Sequence, residues 1–474
     1  MYVCKVTKNK TDMFSKDIYI ARRKRLKEQT KTGKLLFIGN DDCGMNYEDN
    51  TYNFRQDSTF LYYFGINQPG LMGLIDIDED KEYIFGDDAT IDLIVWTGSL
   101  PKIAELAEKA GVKNTASLSE FRNKISKFDK KQVQYLPPYR AEHFLKLKEY
   151  LGYSKEEATI NFNKNFIEAV ANQRNIKSIE EIEEIERAVN VTVEMHQTAM
   201  RCARAGMTEA QVVAKVHEVA IAAGGSLSFP IIGTINGQFL HNHYHGNILK
   251  EGQLFLLDAG YETPLGYAGD MSSTFPVSEK FTDRQKEIYK IALNAHNAAI
   301  ETAKPGVNFR NVHFKASEII FNGLKAMGLT KGNTQDALEN GAHAMFFPCG
   351  TGHLMGLDVH DMENLGEQIV GYNNVPKSKQ FGLKSLRLGR PLEPGFITTI
   401  EPGIYFIPEL IDYWQANKIN ADFINFNEVN KYRDFGGIRN EEDILITPTG
   451  NRVLGKPLAK SIEEVEAERK MAFH

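Results

Sequence analysis

Residues 254–276 read LFLLDAGYETPLGYAGDMSSTFP. LFLLDAG is a short apolar run ending at an acidic residue, so Asp258 is predicted to cap a buried strand. Asp270 follows a turn carrying Pro264 and Gly266, and the STFPV stretch after it reads as a return strand. Paired strands lie about 4.8 Å apart, so this hairpin would set two carboxylates side by side. Asp in a hairpin is ordinarily turn chemistry, and these two residues alone do not establish a metal site.

Three further segments carry residues that a plain core would not hold. GTGHLMGLDVHD (350–361) places His353 and His360 among glycines that permit close backbone approach, with Asp361 directly after His360. A lone histidine in apolar surroundings is commonly a satisfied core residue; two in one Gly-rich segment, in a chain that also offers paired aspartates, point to a site. TTIEPGIYF (398–406) puts Glu401 inside an apolar strand, where an unpaired carboxylate is costly to desolvate. GGIRNEEDILIT (436–447) poses the same problem for Glu441, with Arg439 on the same strand face and Glu442 pointing away, toward solvent or a supporting layer. Arg439 serves equally well, at this stage, as an ordinary salt-bridge partner or as part of the site.

Asp258, Asp270, His353, Glu401 and Glu441 together make four carboxylates and one imidazole, a donor set suited to two hard-to-borderline divalent cations. The four negative charges balance two M²⁺ ions. Without cations, carboxylates about 4 Å apart would repel by about 4 kcal/mol per pair at an effective dielectric near 20. HNHYHGN (241–247) adds His241, His243 and His245 on one face of an extended chain. The segment reads as a loop, and one substrate-contacting histidine suits it better than a further metal.

The remaining chain bounds this picture. Its 474 residues exceed one ordinary core, so two domains are expected, with a boundary near residue 175 (1–174 and 175–474). A hydrophobic share of 42%, a net charge of −6 and a pI near 6.1 describe a globular protein with nothing that favours nucleic acid or an anionic membrane. Cys4, Cys43, Cys202 and Cys349 form no CxxC and read as reduced thiols. The start, MYVCKVTKNKTDMFSK, lacks an apolar leader core, and no apolar run reaches 18 residues, so a cytoplasmic location is expected. In the first half a charged helix over 18–30 precedes β-type runs (KLLFIG, GLMGLIDID, EYIFG) and helices (PKIAELAEKAG, AEHFLKLKEYLG), an α/β domain. Its aromatic stretch YNFRQDSTFLYYF (52–64) reads as a packing surface. The second half opens with capping boxes at Ser178/Glu181 and Thr208/Gln211. No repeat and no low-complexity segment is read along the chain.

Taken in order, these motifs resemble the pita-bread metallopeptidases (peptidase family M24), specifically the prolidase and aminopeptidase P subgroup, over roughly residues 175–455. The stretch FRQDSTFLYYFGINQPG resembles the α/β domain that precedes the catalytic domain in that subgroup and that methionine aminopeptidases lack. The resemblance implies an N-terminal α/β domain followed by a pita-bread domain of the α+β kind. It implies that Asp258 chelates one metal, that Asp270 and Glu441 bridge two, and that His353 and Glu401 complete the second site. It further implies substrate contacts by His241, 17 positions before the first ligand, by His360 and by Arg439. Two departures stand out: Asp258 and Asp270 are 12 positions apart, one more than usual, and Cys349 replaces a common histidine.

The 40-position interval from Glu401 to Glu441 is of the long type that prolidases carry, and Arg387 matches the prolidase arginine thought to bind a dipeptide's free carboxylate, with Arg390 as the alternative. The expected function is therefore hydrolysis of Xaa-Pro dipeptides; the alternative is release of the N-terminal residue from longer Xaa-Pro peptides. A non-catalytic binding protein of the same fold would have lost ligands. Two metal ions are implied, Mn²⁺ first, with Co²⁺ or Zn²⁺ able to substitute. The expected partners are short proline-containing peptides and further copies of the chain in a dimer or tetramer.

Overall fold

The computed structural model describes residues 13–474; Cys4 and most of the MYVCKVTKNKTDMFSK stretch lie outside the described residues. Cysteines 43, 202 and 349 are free thiols. Two compact units are present: one runs to Arg174 and also holds Met362–Ile369, and the other comprises Asn175–Asp361 and Val370–His474. The return of Met362–Ile369 to the first unit was not anticipated, because nothing in its composition differs from a surface loop.

In the first unit, strands β1 (Lys34–Ile38), β2 (Met72–Asp76), β3 (Lys81–Phe85), β4 (Asn114–Ala116) and β5 (Val133–Gln134) form one sheet in the order β4-β3-β2-β1-β5. Only β3/β4 and β1/β5 are parallel, so the sheet has an antiparallel centre with parallel edges. The expected helices occupy Lys16–Thr30, Ile103–Lys109 and Ala141–Leu151. The aromatic stretch contributes the helix Ser58–Phe64, capped by Asp57 and buried at every residue, so Phe60, Tyr62, Tyr63 and Phe64 are packing as anticipated, while Tyr52 is exposed.

The second unit contains β6 (Ser226–Leu227), β7 (Ile232–Thr234), β8 (Leu254–Ala259), β9 (Tyr261–Glu262), β10 (Met271–Pro276), β11 (Ile397–Ile400), β12 (Gly403–Tyr405), β13 (Gly437–Arg439), β14 (Glu442–Ile446) and β15 (Asn451–Val453). They pair antiparallel as β10-β8-β7, β11-β14-β15, β12-β13 and β6-β9. Helices Ile179–Cys202 and Glu209–Ala222 start at the two predicted capping boxes.

A repeat emerges that the linear reading passed over. Helix Ile179–Cys202 is followed by ARAGMT (203–208) and helix Glu209–Ala222; helix Asp283–Thr302 is followed by AKPGVN (303–308) and helix Phe309–Ala326. In both, the glycine has positive φ, +90° at Gly206 and +81° at Gly306. Both connections are pinned alike by a returning chain: Gly206 N donates to Leu249 O and Leu249 N to Met207 O, while Gly306 N donates to Leu392 O and Leu392 N to Val307 O. Nine positions beyond Leu249 stands Asp258, and nine beyond Leu392 stands Glu401. Side-chain identity between the copies is slight, so only the punctuation reveals them.

The hairpin of β8 and β10 forms as predicted, with Ser272 opposite Asp258, and a turn at Thr263–Tyr267 closes the intervening excursion. Gly260 is indispensable to it: a Cβ there would overlap the carbonyl oxygen of Gly269. Gly260→Ala is expected to destabilise the protein by about 2 kcal/mol or more, as overpacking against backbone does, measured as a lowered urea midpoint; an unchanged midpoint would contradict the close approach.

Candidate metal centre

Asp258 lies next to the end of β8, and Asp270 directly precedes β10. Glu401 occupies the break between β11 and β12, and Glu441 the break between β13 and β14. A break lets an apolar strand deliver a carboxylate without losing its register. His353 arrives on loop 350–361, which is tied to β11: Thr399 Oγ1 accepts from His353 N (3.1 Å), and His353 O accepts from Thr398 Oγ1 (2.6 Å) and Thr399 N (3.0 Å). Gly352 makes this possible, since a Cβ would collide with the Thr399 carbonyl.

A cavity of about 250 Å³ is lined by all five predicted ligands, together with His241, His360 and Arg439. Donor atoms of Asp270, His353 and Glu441 lie within 4.8 Å of one another. His353 Nε2 is 3.4 Å from Asp270 Oδ2 and 3.6 Å from Glu401 Oε1, and its ring stacks on His360 with centroids 3.8 Å apart. Asp258 and Glu401 stand outside the tight trio but face the same space. Arg387 does not line the cavity, though its charge reaches His241. Arg390 is engaged elsewhere, with Nη2 2.7 Å from Glu393 Oε1.

Arg439 joins the carboxylates from behind. Its Nη2 donates to Asp258 Oδ2 (2.6 Å), Nε to Ser272 Oγ (2.8 Å) and Nη1 to the Tyr405 hydroxyl (3.1 Å), and Ser272 Oγ in turn donates to Glu441 Oε2 (2.7 Å). Of the two roles open to Arg439, it takes both: an ion pair, and a wall of the site. Asp443, fully buried, accepts from Asp270 N (3.0 Å). Glu442 is buried against Lys460, so of the two directions anticipated solvent is not the one it takes.

The electrostatics follow from burial of like charges. Burial lifts the Asp258 carboxyl to about 7, with Asp270 and Glu401 adding to the rise and Arg439 opposing it. Burial likewise raises Glu401, and raises Glu441 well above the usual carboxylate range with help from Asp270, Glu401 and Asp258. Burial opposes charge on His353, but the hydrogen bond to Asp270 and the nearby Glu401 prevail and lift it to about 9. His241 is lowered, first by burial and then by Arg439, His360, His243 and Arg387. Asp270 Oδ1 is buried without a hydrogen-bond partner. Converging oxygens, an imidazole and an unused carboxylate oxygen fit a divalent cation.

Several cavity residues escaped sequence reasoning. Of the three histidines expected on one face, His243 lines the cavity beside His241, whereas His245 turns back, Nε2 3.1 Å from Ile231 O. Phe229, Pro230, Ile232, Leu240 and Val359 form an apolar wall that no motif announced. Cys349 also faces the cavity, 4.0 Å from the Tyr405 hydroxyl, its thiol pushed up to about 12 by burial and by Glu401.

Comparison with known proteins agrees with this geometry. Residues 183–448 match Metallopeptidase family M24, and residues 19–135 match Aminopeptidase P, N-terminal domain. The chain is 28% identical over 457 residues to the Xaa-Pro dipeptidase of Rattus norvegicus, covering 94% of this chain and 91% of the relative. It is 30% identical over 473 residues to the Xaa-Pro aminopeptidase of Escherichia coli (strain K12), covering 96% and 97%. Among solved structures, the low-pH form of Escherichia coli aminopeptidase P superposes with a TM-score of 0.80 at 29% identity, covering 97% of this chain and 99% of the other.

Protons and cations compete for these carboxylates. Since Asp258 binds its proton below about 7 and His353 below about 9, cation binding is expected to weaken as pH falls. Calorimetric titration of chelator-treated protein with Mn²⁺ should give an affinity at least about tenfold lower at pH 6 than at pH 8; equal affinities would count against these ligands.

Proposed function

Because the chain belongs to metallopeptidase family M24, we propose that it hydrolyses the Xaa-Pro bond of dipeptides with two divalent metal ions, Mn²⁺ foremost, held by Asp258, Asp270, His353, Glu401 and Glu441. The observation that carries this reading is the convergence of Asp270, His353 and Glu441 donor atoms within 4.8 Å, at the wall of a cavity that His241 and His360 also line. When bound, the ions lower the pKa of water and polarise the scissile carbonyl.

The chain's own residues supply the rest. Glu401, raised by burial yet with 21% of its side chain exposed, is the group to accept a proton from the attacking water and return it to the departing imino nitrogen. His241, kept neutral by burial and by cationic neighbours, can donate to a substrate oxygen, and His360 steadies the developing oxyanion. A proline nitrogen carries no N–H, so recognition falls to shape, and the wall of Phe229, Pro230, Ile232, Leu240 and Val359 offers an apolar surface for it.

Restriction to dipeptides is supported by the long connection from Glu401 to Glu441 and by Arg387, whose positive charge reaches His241 and whose planar fork suits a free carboxylate. A second reading, Xaa-Pro aminopeptidase, is favoured by the aminopeptidase P N-terminal domain over residues 19–135. All five ligands are intact, which speaks against a purely binding role.

The deciding measurement compares Ala-Pro with Ala-Pro-Ala as substrates in the presence of Mn²⁺. The dipeptide is expected to turn over faster, and Arg387→Ala should depress its kcat/KM by about tenfold or more while leaving the tripeptide less affected. Preference for the tripeptide would transfer the assignment to the aminopeptidase. Glu441→Gln should abolish most turnover and lower bound metal; near-normal Mn²⁺-dependent rates would refute its role as a ligand.

A further inference from the structure

The loop that carries His241 and His243 into the cavity supplies none of the five metal-ligand residues, so what fixes it is a separate question. Its two ends meet on one side chain, Glu209, at the first position of helix Glu209–Ala222 and fully buried. Glu209 Oε1 accepts from Thr234 Oγ1 (2.9 Å) and from Ile235 N (2.8 Å), at the entry to the loop. Oε2 accepts from Asn247 N (3.1 Å) and Asn247 Nδ2 (2.9 Å), at its exit. A line then runs to the histidines themselves: Thr234 Oγ1 accepts from Asn242 Nδ2 (3.1 Å), and Asn242 is the residue between His241 and His243. Asn242 Oδ1 in turn accepts from Tyr244 N (3.1 Å), which closes the turn behind them.

The internal repeat provides a control for whether the fold itself calls for an acid here. The equivalent position in the second copy is Phe309, fully buried, at the start of its helix. The backbone bond is the same in both: Glu209 N donates to Asn247 O (2.9 Å), and Phe309 N donates to Arg390 O (3.0 Å). An apolar side chain therefore satisfies the helix–turn–helix connection. A buried carboxylate is costly to desolvate unless donors surround it, and at Glu209 every donor named comes from loop 235–247 or from Thr234, the strand residue that enters it.

We propose that Glu209 is a positioning residue for the reaction, holding both ends of loop 235–247 so that His241 and His243 face the substrate. This rests on the peptidase reading given above. Glu209→Gln offers a single acceptor oxygen and turns an NH₂ group toward donors. It is expected to keep its bound metal, measured by plasma mass spectrometry, and to lose about tenfold or more in kcat/KM on Ala-Pro or Ala-Pro-Ala, whichever the protein prefers, as misplaced contact groups do. In a His241→Ala/His243→Ala background the same substitution should cost less than about twofold, because its effect passes through those rings. An equal loss in both backgrounds, or loss of metal in step with activity, would overturn the proposal.

A second readout does not depend on turnover. In histidine-labelled protein, the imidazole signals of His241 and His243 should shift in Glu209→Gln while those of His353 and His360 hold; unmoved His241 and His243 signals would also overturn it. Should wild-type protein cleave no Xaa-Pro peptide, the peptidase reading fails and these signals alone judge the positioning role. If Glu209→Gln does not fold, Asn247→Ala, which removes one side-chain donor and keeps the acid, is expected to show the same pattern at smaller amplitude.

Discussion

Concentrating negative charge in one largely buried cavity is the constraint on which the catalytic unit depends. Asp258, Asp270, Glu401 and Glu441 line one space, and two carboxylates brought to about 4 Å would repel by about 4 kcal/mol at an effective dielectric near 20. The protein answers with a buried guanidinium and with raised proton affinities. Arg439 takes one oxygen of Asp258 directly and reaches Glu441 through the Ser272 hydroxyl. Asp443 grips Asp270 by its backbone N–H and leaves Asp270 Oδ1 unused. Asp258 and Glu441 are thereby held through their side chains and Asp270 through its backbone, while oxygen lone pairs remain for cations, the kind of support that orients metal ligands elsewhere.

Two half-sites meet here because the unit is built twice. Asp258 and Glu401 occupy equivalent positions after equivalent helix–turn–helix connections, each following a glycine with positive φ, +81° at Gly252 and +94° at Gly395. Glu441 and Asp270 come from the strands that pair with those two, or from their approach. Such duplication brings acids from each copy, on or beside one strand and its partner, to a common cavity.

Much of the centre could be read from residues that contradict their surroundings. A glutamate inside TTIEPGIYF or a histidine inside GTGHLMG has no structural reason to be there, so chemistry supplies one. The hairpin of Asp258 and Asp270 was legible because period, turn residues and length agree. What stayed hidden depends on three-dimensional pairing. Ser272 and Tyr405 are unremarkable letters until Arg439 lies between them. His243 and His245 share an alternation, yet one faces the cavity and the other a backbone carbonyl. The repeat escaped because its copies share glycines and turn geometry, whereas Glu209 in one copy answers to Phe309 in the other.

Cys349 carries a consequence for the chemistry of the cavity. A thiol held to about 12 beside Glu401 is almost wholly un-ionised at neutral pH. The thiolate is the form that peroxides attack and that soft metals such as Cu⁺ seek. Placing sulfur at this wall therefore adds bulk and polarisability without adding an oxidant-sensitive trigger or a foothold for copper.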